Sequence, residues 1–238
     1  MFTEAITRWL SKPDQANLLR SKLAEKQWRS CSLTNYLAQP LVSEETPIAD
    51  INFVAIDFET TGLEFAKDRV LSIGLVELTL DTIDMTSVTE VLLRNEGFIK
   101  PESAIVNELM PSHIEELGIE TSIAFDTLLD RIKGKVVIAH SACIEQGFLN
   151  AYLDRHYNLE QLPCHFIDTL NLEKKHSYLG KSGGHSSLQL DDLRDHYNLP
   201  QYLAHSAASD ALGCAELFLA QVKRLQLCRK NLSSLLYR

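Results

Sequence analysis

Very little in this chain of 238 residues points to a membrane or to an oxidising compartment. No apolar run approaches the roughly 20 residues needed to cross a bilayer. The Met1-Phe2-Thr3-Glu4 start lacks the basic stretch, apolar core and cleavage site of a signal peptide. The five cysteines (Cys31, Cys143, Cys164, Cys214, Cys228) are odd in number, widely spaced and without a C-x-x-C pair. They read as free thiols of a reducing cytoplasm, with no membrane partner. Basic charge is also scarce: 23 Lys and Arg against 32 Asp and Glu give a formal net charge of −9. A protein that coats long duplexes needs a basic surface, so that class is set aside. Clustered acids that hold divalent cations remain compatible with the balance, because the ions reverse the local sign. Repeats and low-complexity stretches are absent too. What is present is enough apolar residue, 45%, to bury a full core.

Residues 1–50 read as a helical extension and linker, and 51–238 as the main domain. Phe2, Ala5, Ile6, Trp9 and Leu10 mark one helical face. Pro13, followed by Ala16, Leu19, Leu23 and Trp28, predicts a second helix. Ser43 to Asp50 reads as the linker, and both tryptophans as helix packing. From Ile51 the period changes. Asn52–Asp57, Arg69–Leu78 and Ser87–Arg94 predict strands of an antiparallel meander. Helices are expected around Pro111–Leu117, over Ile123–Ile132, through Phe148, Leu149, Tyr152 and Leu153, and over Leu188–Tyr197 and Ala207–Leu227. Lys135–Ala139 and Cys164–Ile167 supply further strands. A meander followed by strands alternating with helices indicates an α/β domain with a mixed sheet.

Three motifs carry chemistry. Asp57-Phe58-Glu59 closes an apolar strand, and residues two apart point to one side, so both carboxylates face one point. Like charges held that close call for a cation; Thr60-Thr61-Gly62 then breaks the strand. Around His205 and Asp210 the residues are small (Ala204, Ser206, Ala207, Ala208, Ser209, Ala211), which lets another surface approach closely. A histidine near its reference pKa of about 6.5 can take a proton at neutral pH. The third stretch, Ile138 to Glu145, runs from a buried strand into a helix and places another acid at the turn. Asp168, after a strand, either supports the site or caps a turn. Gly180 to Gly184 is a loop rather than a phosphate-binding glycine loop, and the remaining histidines show no zinc spacing with the cysteines.

Together, in order and spacing from Phe53 to Val222, these segments resemble the DnaQ-like DEDD exonuclease superfamily, in the subgroup whose last motif carries histidine. Phe53-Val-Ala-Ile-Asp-Phe-Glu-Thr-Thr-Gly-Leu63 matches the first motif almost letter for letter, and His205-x4-Asp210 matches the last. Phe166-Ile-Asp168-Thr-Leu and Ser187-Leu-Gln-Leu-Asp-Asp-Leu193 resemble segments between. The middle motif departs from Ala-His-Asn-Ala-x-Phe-Asp: Ser141 replaces Asn, Ile144 replaces Phe and Glu145 replaces Asp. Val106-Asn107-Glu108-Leu109 stands where relatives have His-Gly-Ile.

The resemblance implies a ribonuclease H-like fold, a mixed sheet flanked by helices. It implies a two-metal (Mg²⁺ or Mn²⁺) hydrolase that shortens nucleic acid from the 3′ end and releases nucleoside 5′-monophosphates. Asp57, Glu59, Glu145 and Asp210 would hold the ions, His205 would act as general base, and Thr60, Thr61, Gly62, Leu63, His140 and Ser141 would line the pocket of the terminal nucleotide. Single-stranded or frayed DNA ends, as in proofreading or repair, are the expected substrate. An exoribonuclease of the same fold, and a non-catalytic module bound to nucleic acid or to a polymerase through the N-terminal helices, are the alternatives.

Overall fold

Alternation within the first strand decides the layering. In the computed structural model of the chain, which describes residues 13–94, 117–177, 187–202 and 206–237, β1 (Phe53–Thr60) divides its side chains between two cores. Val54, Ile56 and Phe58 enter one buried cluster, Phe53 and Ala55 the other. This is the two-residue period of a strand covered on both faces. β1 pairs antiparallel with β2 (Val70–Leu78), which pairs antiparallel with β3 (Ile83–Leu92). On its other side β1 pairs parallel with β4 (Val136–Ala139), and β4 with β5 (Phe166–Asp168). The order β3-β2-β1-β4-β5 contains both the expected meander and the expected parallel half.

One face of the sheet receives α3 (Thr121–Ile132) through Phe125, Leu128 and Leu129, and α4 (Cys143–Tyr157) through Phe148, Leu149 and Leu153. The N-terminal helices join the same cluster: α1 (Pro13–Ala24) with Leu23, and α2 (Cys31–Ala38) with Leu33, Tyr36 and Leu37. The expected helix after Pro13 is thus present, and Trp28 packs against this core, its indole N–H donating to the Leu23 carbonyl at 2.9 Å. Ser30 caps α2 by accepting from the Leu33 amide at 2.9 Å and donates to Asp126 of α3 at 2.5 Å. The opposite face receives α5 (Thr169–His176) through Leu172 and α7 (Ala207–Arg224) through Ala211, Cys214, Ala215, Phe218 and Val222. Phe218 sets its ring 5.2 Å from that of Phe53. Between them, α6 (Leu190–His196) is tied to α7 by Arg194, which donates to the Gly213 carbonyl at 2.8 Å and to Glu216 at 2.9 Å.

Two helices, α2 and α5, were not expected from the sequence. α2 is only eight residues long, and α5 buries little apolar surface, so neither shows a sustained period. The stretch Ser43–Asp50 does connect, but not loosely. Leu232 and Ser233 donate to Thr46 and Glu44 at 3.0 and 2.9 Å, Ile48 donates to Lys230 at 3.1 Å, and Ile48 is fully buried. The expected helix over Phe2–Leu10 and most of that around Pro111–Leu117 lie outside the described residues.

Gly74, in the middle of β2, fixes how close α7 comes. A Cβ at this position would lie 1.8 Å from the Ala207 carbonyl oxygen and 2.6 Å from the Ala208 nitrogen, both backbone atoms that cannot swing aside. The small residues before Asp210 therefore do what their size suggested: they let the helix start rest on the sheet. Gly74→Ala should destabilise the fold by about 3 kcal/mol through overpacking, seen as a lower midpoint in urea. It should also weaken divalent-cation binding by forcing the first turn of α7 outward. A variant with unchanged midpoint and unchanged Mn²⁺ titration would show that the contact is dispensable.

Candidate metal centre and active site

Along the α7 face of β1 the sequence reads Phe53, Ala55, Asp57, Glu59, apolar and then acidic. The switch falls where cover on one side runs out. β4 pairs only with Phe53, Val54 and Ala55, so Asp57 and Glu59 project beyond its end. The chain leaves β4 at Ala139, turns through His140 to Ala142 and enters α4, placing Glu145 in that helix's first turn. From the other side α7 begins at Ser206, whose hydroxyl accepts from the Ser209 amide while the Ser209 hydroxyl accepts from the Ser206 amide, each at 3.2 Å. This reciprocal cap sets Asp210 in the first turn of α7.

The carboxylates of Asp57, Glu59 and Asp210 come together, each offering an oxygen within 4.8 Å of the others. Glu145 stands outside that trio yet next to it, 2% exposed, and its Oε2 has no hydrogen-bond partner among the described residues. Burial first, and then the charges of Glu145, Asp210, Glu59 and Glu90, push the Asp57 carboxyl well above the usual range. Glu145 is raised as well, by burial and to a lesser degree by Asp168, against the pull of a backbone hydrogen bond. Converging hard oxygen donors, mutual repulsion and one orphaned buried oxygen all fit a divalent cation.

Two neighbours escaped the sequence reading. Cross-strand pairing aligns Asp57, Gly74 and Glu90 in one row and Glu59 with Ser72 in the next, so Glu90 and Ser72 share the acids' face. Oε1 of Glu90 and the Ser72 hydroxyl are buried without a hydrogen-bond partner among the described residues. Only the strand register could have found them, since neither lies in a motif.

After Glu59 the pairing register slips, and the chain breaks into a loop. Asp68 ties that loop, accepting from the Thr61 hydroxyl at 3.1 Å and the Glu64 amide at 2.8 Å; Thr60 donates to the Gly62 carbonyl at 2.9 Å. A Cβ on Gly62 would strike the Asp68 carboxylate at 2.4 Å. Leu63 is left 68% exposed beside the acidic trio's strand.

His140 is held at both ring nitrogens: Nδ1 lies 2.8 Å from the Thr169 hydroxyl and Nε2 3.0 Å from the Leu188 carbonyl. A carbonyl only accepts, so Nε2 carries the proton. Burial lowers the His140 pKa, a shift opposed by the Leu188 bond. Asp168, left open as support or cap, does both. It caps α5 by accepting from the Leu170 and Asn171 amides, and it accepts from the Ser141 amide at 3.1 Å, which steadies the turn before Glu145. Ser141 has a φ of +68°, a left-handed conformation that Asn tolerates better than Ser. His205 lies outside the described residues, as do Val106–Leu109 and Gly180–Gly184.

A mixed sheet with acids gathered at the carboxyl ends of its central parallel strands defines a divalent-metal hydrolase of the ribonuclease H-like class. A sequence model of the exonuclease family matches residues 54–218. The chain is 28% identical over 172 residues to the DNA polymerase III epsilon subunit of Treponema pallidum, covering 72% of this chain and 77% of that one. It is 25% identical over 205 residues to the PolC-type DNA polymerase III of Thermotoga maritima, covering 78% of this chain but only 13% of the polymerase. In fold it is similar to E. coli exonuclease I in complex with a dT13 oligonucleotide, with a TM-score of 0.61 at 15% identity, over 75% of this chain and 42% of that one. The chain belongs to the exonuclease family, in its DnaQ-like DEDD branch. None of the helices among the described residues is long and apolar enough to cross a membrane.

Two stability measurements probe the centre. An acid whose pKa is raised by folding costs stability above its unfolded value, near 3.9 for Asp, and that cost grows as pH rises toward the folded value. Metal-free Asp57→Asn should therefore exceed wild type at about pH 8 by at least about 1.4 kcal/mol, the equivalent of one pH unit of displacement. The gain should shrink toward about pH 3 and below, where the Asp57 carboxyl is protonated in both the folded and the unfolded chain; equal stability at both pH values would contradict the repulsion. Separately, Ser141→Asn should raise the melting temperature, by up to about 1 kcal/mol in stability, whereas a lower one would show that the turn is not strained.

Proposed function

We propose that the chain is a 3′–5′ exonuclease that removes nucleotides one at a time from single-stranded or frayed DNA ends and releases nucleoside 5′-monophosphates. The convergence of Asp57, Glu59 and Asp210 within 4.8 Å, with buried Glu145 beside them, carries this reading. In it, Asp57, Glu59, Glu145 and Asp210 would hold two Mg²⁺ or Mn²⁺ ions. Such ions supply Lewis-acid charge for the attacking and leaving oxygens and ease deprotonation of water. Asp57, on which the charges of Glu145, Asp210, Glu59 and Glu90 all press, would be a central ligand of these ions. His205, one residue before the Ser206 cap, takes the proton from the attacking water. Thr60, Thr61, Gly62 and Leu63 on the loop after β1, with His140 and Ser141 at the turn before α4, border the terminal nucleotide.

The choice of DNA is supported by relatives that are DNA polymerase subunits or polymerases. A polymerase partner belongs to the same proposal. Because α1 and α2 spend their inner faces on the core, such a partner would meet outer residues such as Leu18, which is 51% exposed.

Labelled single-stranded DNA and RNA oligonucleotides, incubated with Mn²⁺, Mg²⁺ or EDTA, test the activity. Expected is a metal-dependent ladder that shortens from the 3′ end, faster on DNA, with Mn²⁺ also raising the melting temperature. Asp57→Ala should lose at least about 10³-fold in rate together with the Mn²⁺ stabilisation. Glu145→Gln should lose about 10²-fold, a loss typical of a misplaced group in a preorganised site. A faster ladder on RNA would transfer the assignment to an exoribonuclease. Absence of degradation with no Mn²⁺ stabilisation would favour a non-catalytic binding module.

A further inference from the structure

We infer that a cleft on the α4 side of the sheet grips the single strand behind the scissile end, its phosphates met by Arg69, Arg94 and Arg155 and its bases by Phe65 and His156. The inference rests on the exonuclease reading and names the substrate surface that reading requires.

The cleft has a volume of about 470 Å³, the size range of pockets that take nucleotide-sized ligands. Its arginines come from three separate elements. Arg69 closes the loop before β2, Arg94 follows β3, and Arg155 lies in the last turn of α4. Such a gathering is notable in a chain whose net charge is −9. Among the described residues, Arg69 donates to the Lys67 and Asp68 carbonyls at 3.1 and 3.2 Å, and Arg155 to the Ala66 carbonyl at 3.4 Å. Those carbonyl bonds orient the Arg69 and Arg155 guanidinium groups without neutralising them. Glu120 and Asp68 also border the cleft, but Asp68 is turned into its own loop by the Thr61 and Glu64 bonds.

The aromatic lining is placed with equal economy. Tyr152 forms part of the floor, stacked on Phe125 at 3.8 Å, with the His156 ring 4.5 Å away. Phe65 is 38% exposed and stands edge-on to Phe148, ring centroids 5.1 Å apart. Its seat exists because residue 147 is glycine; a Cβ there would lie 2.3 Å from the ring. Gly147 is two residues beyond Glu145 on α4, so one helix start carries both this aromatic seat and an acid of the centre, on different sides of its axis. Aromatic faces interleaved with arginine suit stacked bases and their backbone, without regard to sequence. The physical need is also plain. Acids that hold cations attract only the terminal phosphates, so a polyanion needs positive charge elsewhere to be retained.

The test is fluorescence anisotropy of labelled dT15 with the full chain in EDTA, across a salt series, beside hydrolysis in Mn²⁺. The Arg69→Ala/Arg94→Ala/Arg155→Ala variant should bind at least tenfold more weakly. Its salt slope should fall by about 2, as for three lost single-strand phosphate contacts. KM for the oligonucleotide should rise in step, while turnover of the p-nitrophenyl ester of thymidine 5′-monophosphate stays within twofold. A triple Arg→Lys variant should keep the salt slope, which separates lost charge from a damaged fold. Equal binding and equal salt slopes for wild type and the alanine variant would overturn the inference. Wild type that hydrolyses neither substrate would instead sink the exonuclease reading, with the binding comparison still deciding whether the cleft holds a strand.

Discussion

The approach of α7 to the sheet at Gly74 governs the rest of the site, because it decides how near the carboxylates must stand. In the row Asp57–Gly74–Glu90 the middle position has no side chain, and the backbone at Ala207 occupies the space. With the helix start seated there, Asp210 in the first turn has no choice but to face Asp57 and Glu59. Two helix N-termini flank the acids, that of α4 at Glu145 and that of α7 at Asp210. Each carries a partial positive charge of about half a unit, which softens the repulsion without cancelling it. The residual repulsion is what a cation relieves.

Holding such a centre open to cations costs stability, and the surrounding fold must absorb the cost. Buried Glu145 with an orphaned oxygen and Ser141 in a left-handed conformation both weigh against folding. Against them stand two apolar clusters, one on each face of the sheet, in which every fully buried large side chain contributes about 1.5–3 kcal/mol. The N-terminal helices matter here as well. Leu33, Tyr36 and Leu37 lie in the cluster that also holds Leu128 of α3 and Leu149 of α4, the helix that carries Glu145.

Local pattern made the central strands and most helices legible, because a strand covered on both faces and an amphipathic helix each leave a period in the sequence. Asp57 and Glu59 could be paired from spacing alone, while Glu145 and Asp210 needed a family likeness, since their meeting is a tertiary fact. Glu90 and Ser72 stayed hidden because cross-strand neighbours depend on register, and no residue of β3 announces its partner. The same holds for His140, whose bonds to Thr169 and to Leu188 join positions 29 and 48 residues apart. Asp168 shows a further limit: its two roles looked exclusive in sequence, yet one carboxylate accepts from both the α5 cap and the Ser141 amide.

The loop that follows β1 links the two faces of the sheet. Asp57 and Glu59 point toward α7, whereas Phe58 and the later Phe65 belong to the α4 side, with Phe58 near Phe125 and Phe65 near Phe148. The register slip at Thr60 and the Asp68 bonds fold the loop back between them. A strand end presented to the acids therefore passes the same loop whose far end supplies Phe65 and Arg69. Chemistry and grip then sit on different faces, built from different helices, and meet at a loop whose shape is set by one aspartate. In that arrangement the residues that bind the body of a substrate can vary without disturbing the spacing of the carboxylates. Substitution of Asp68, whose bonds to Thr61 and Glu64 hold the loop, would disturb both.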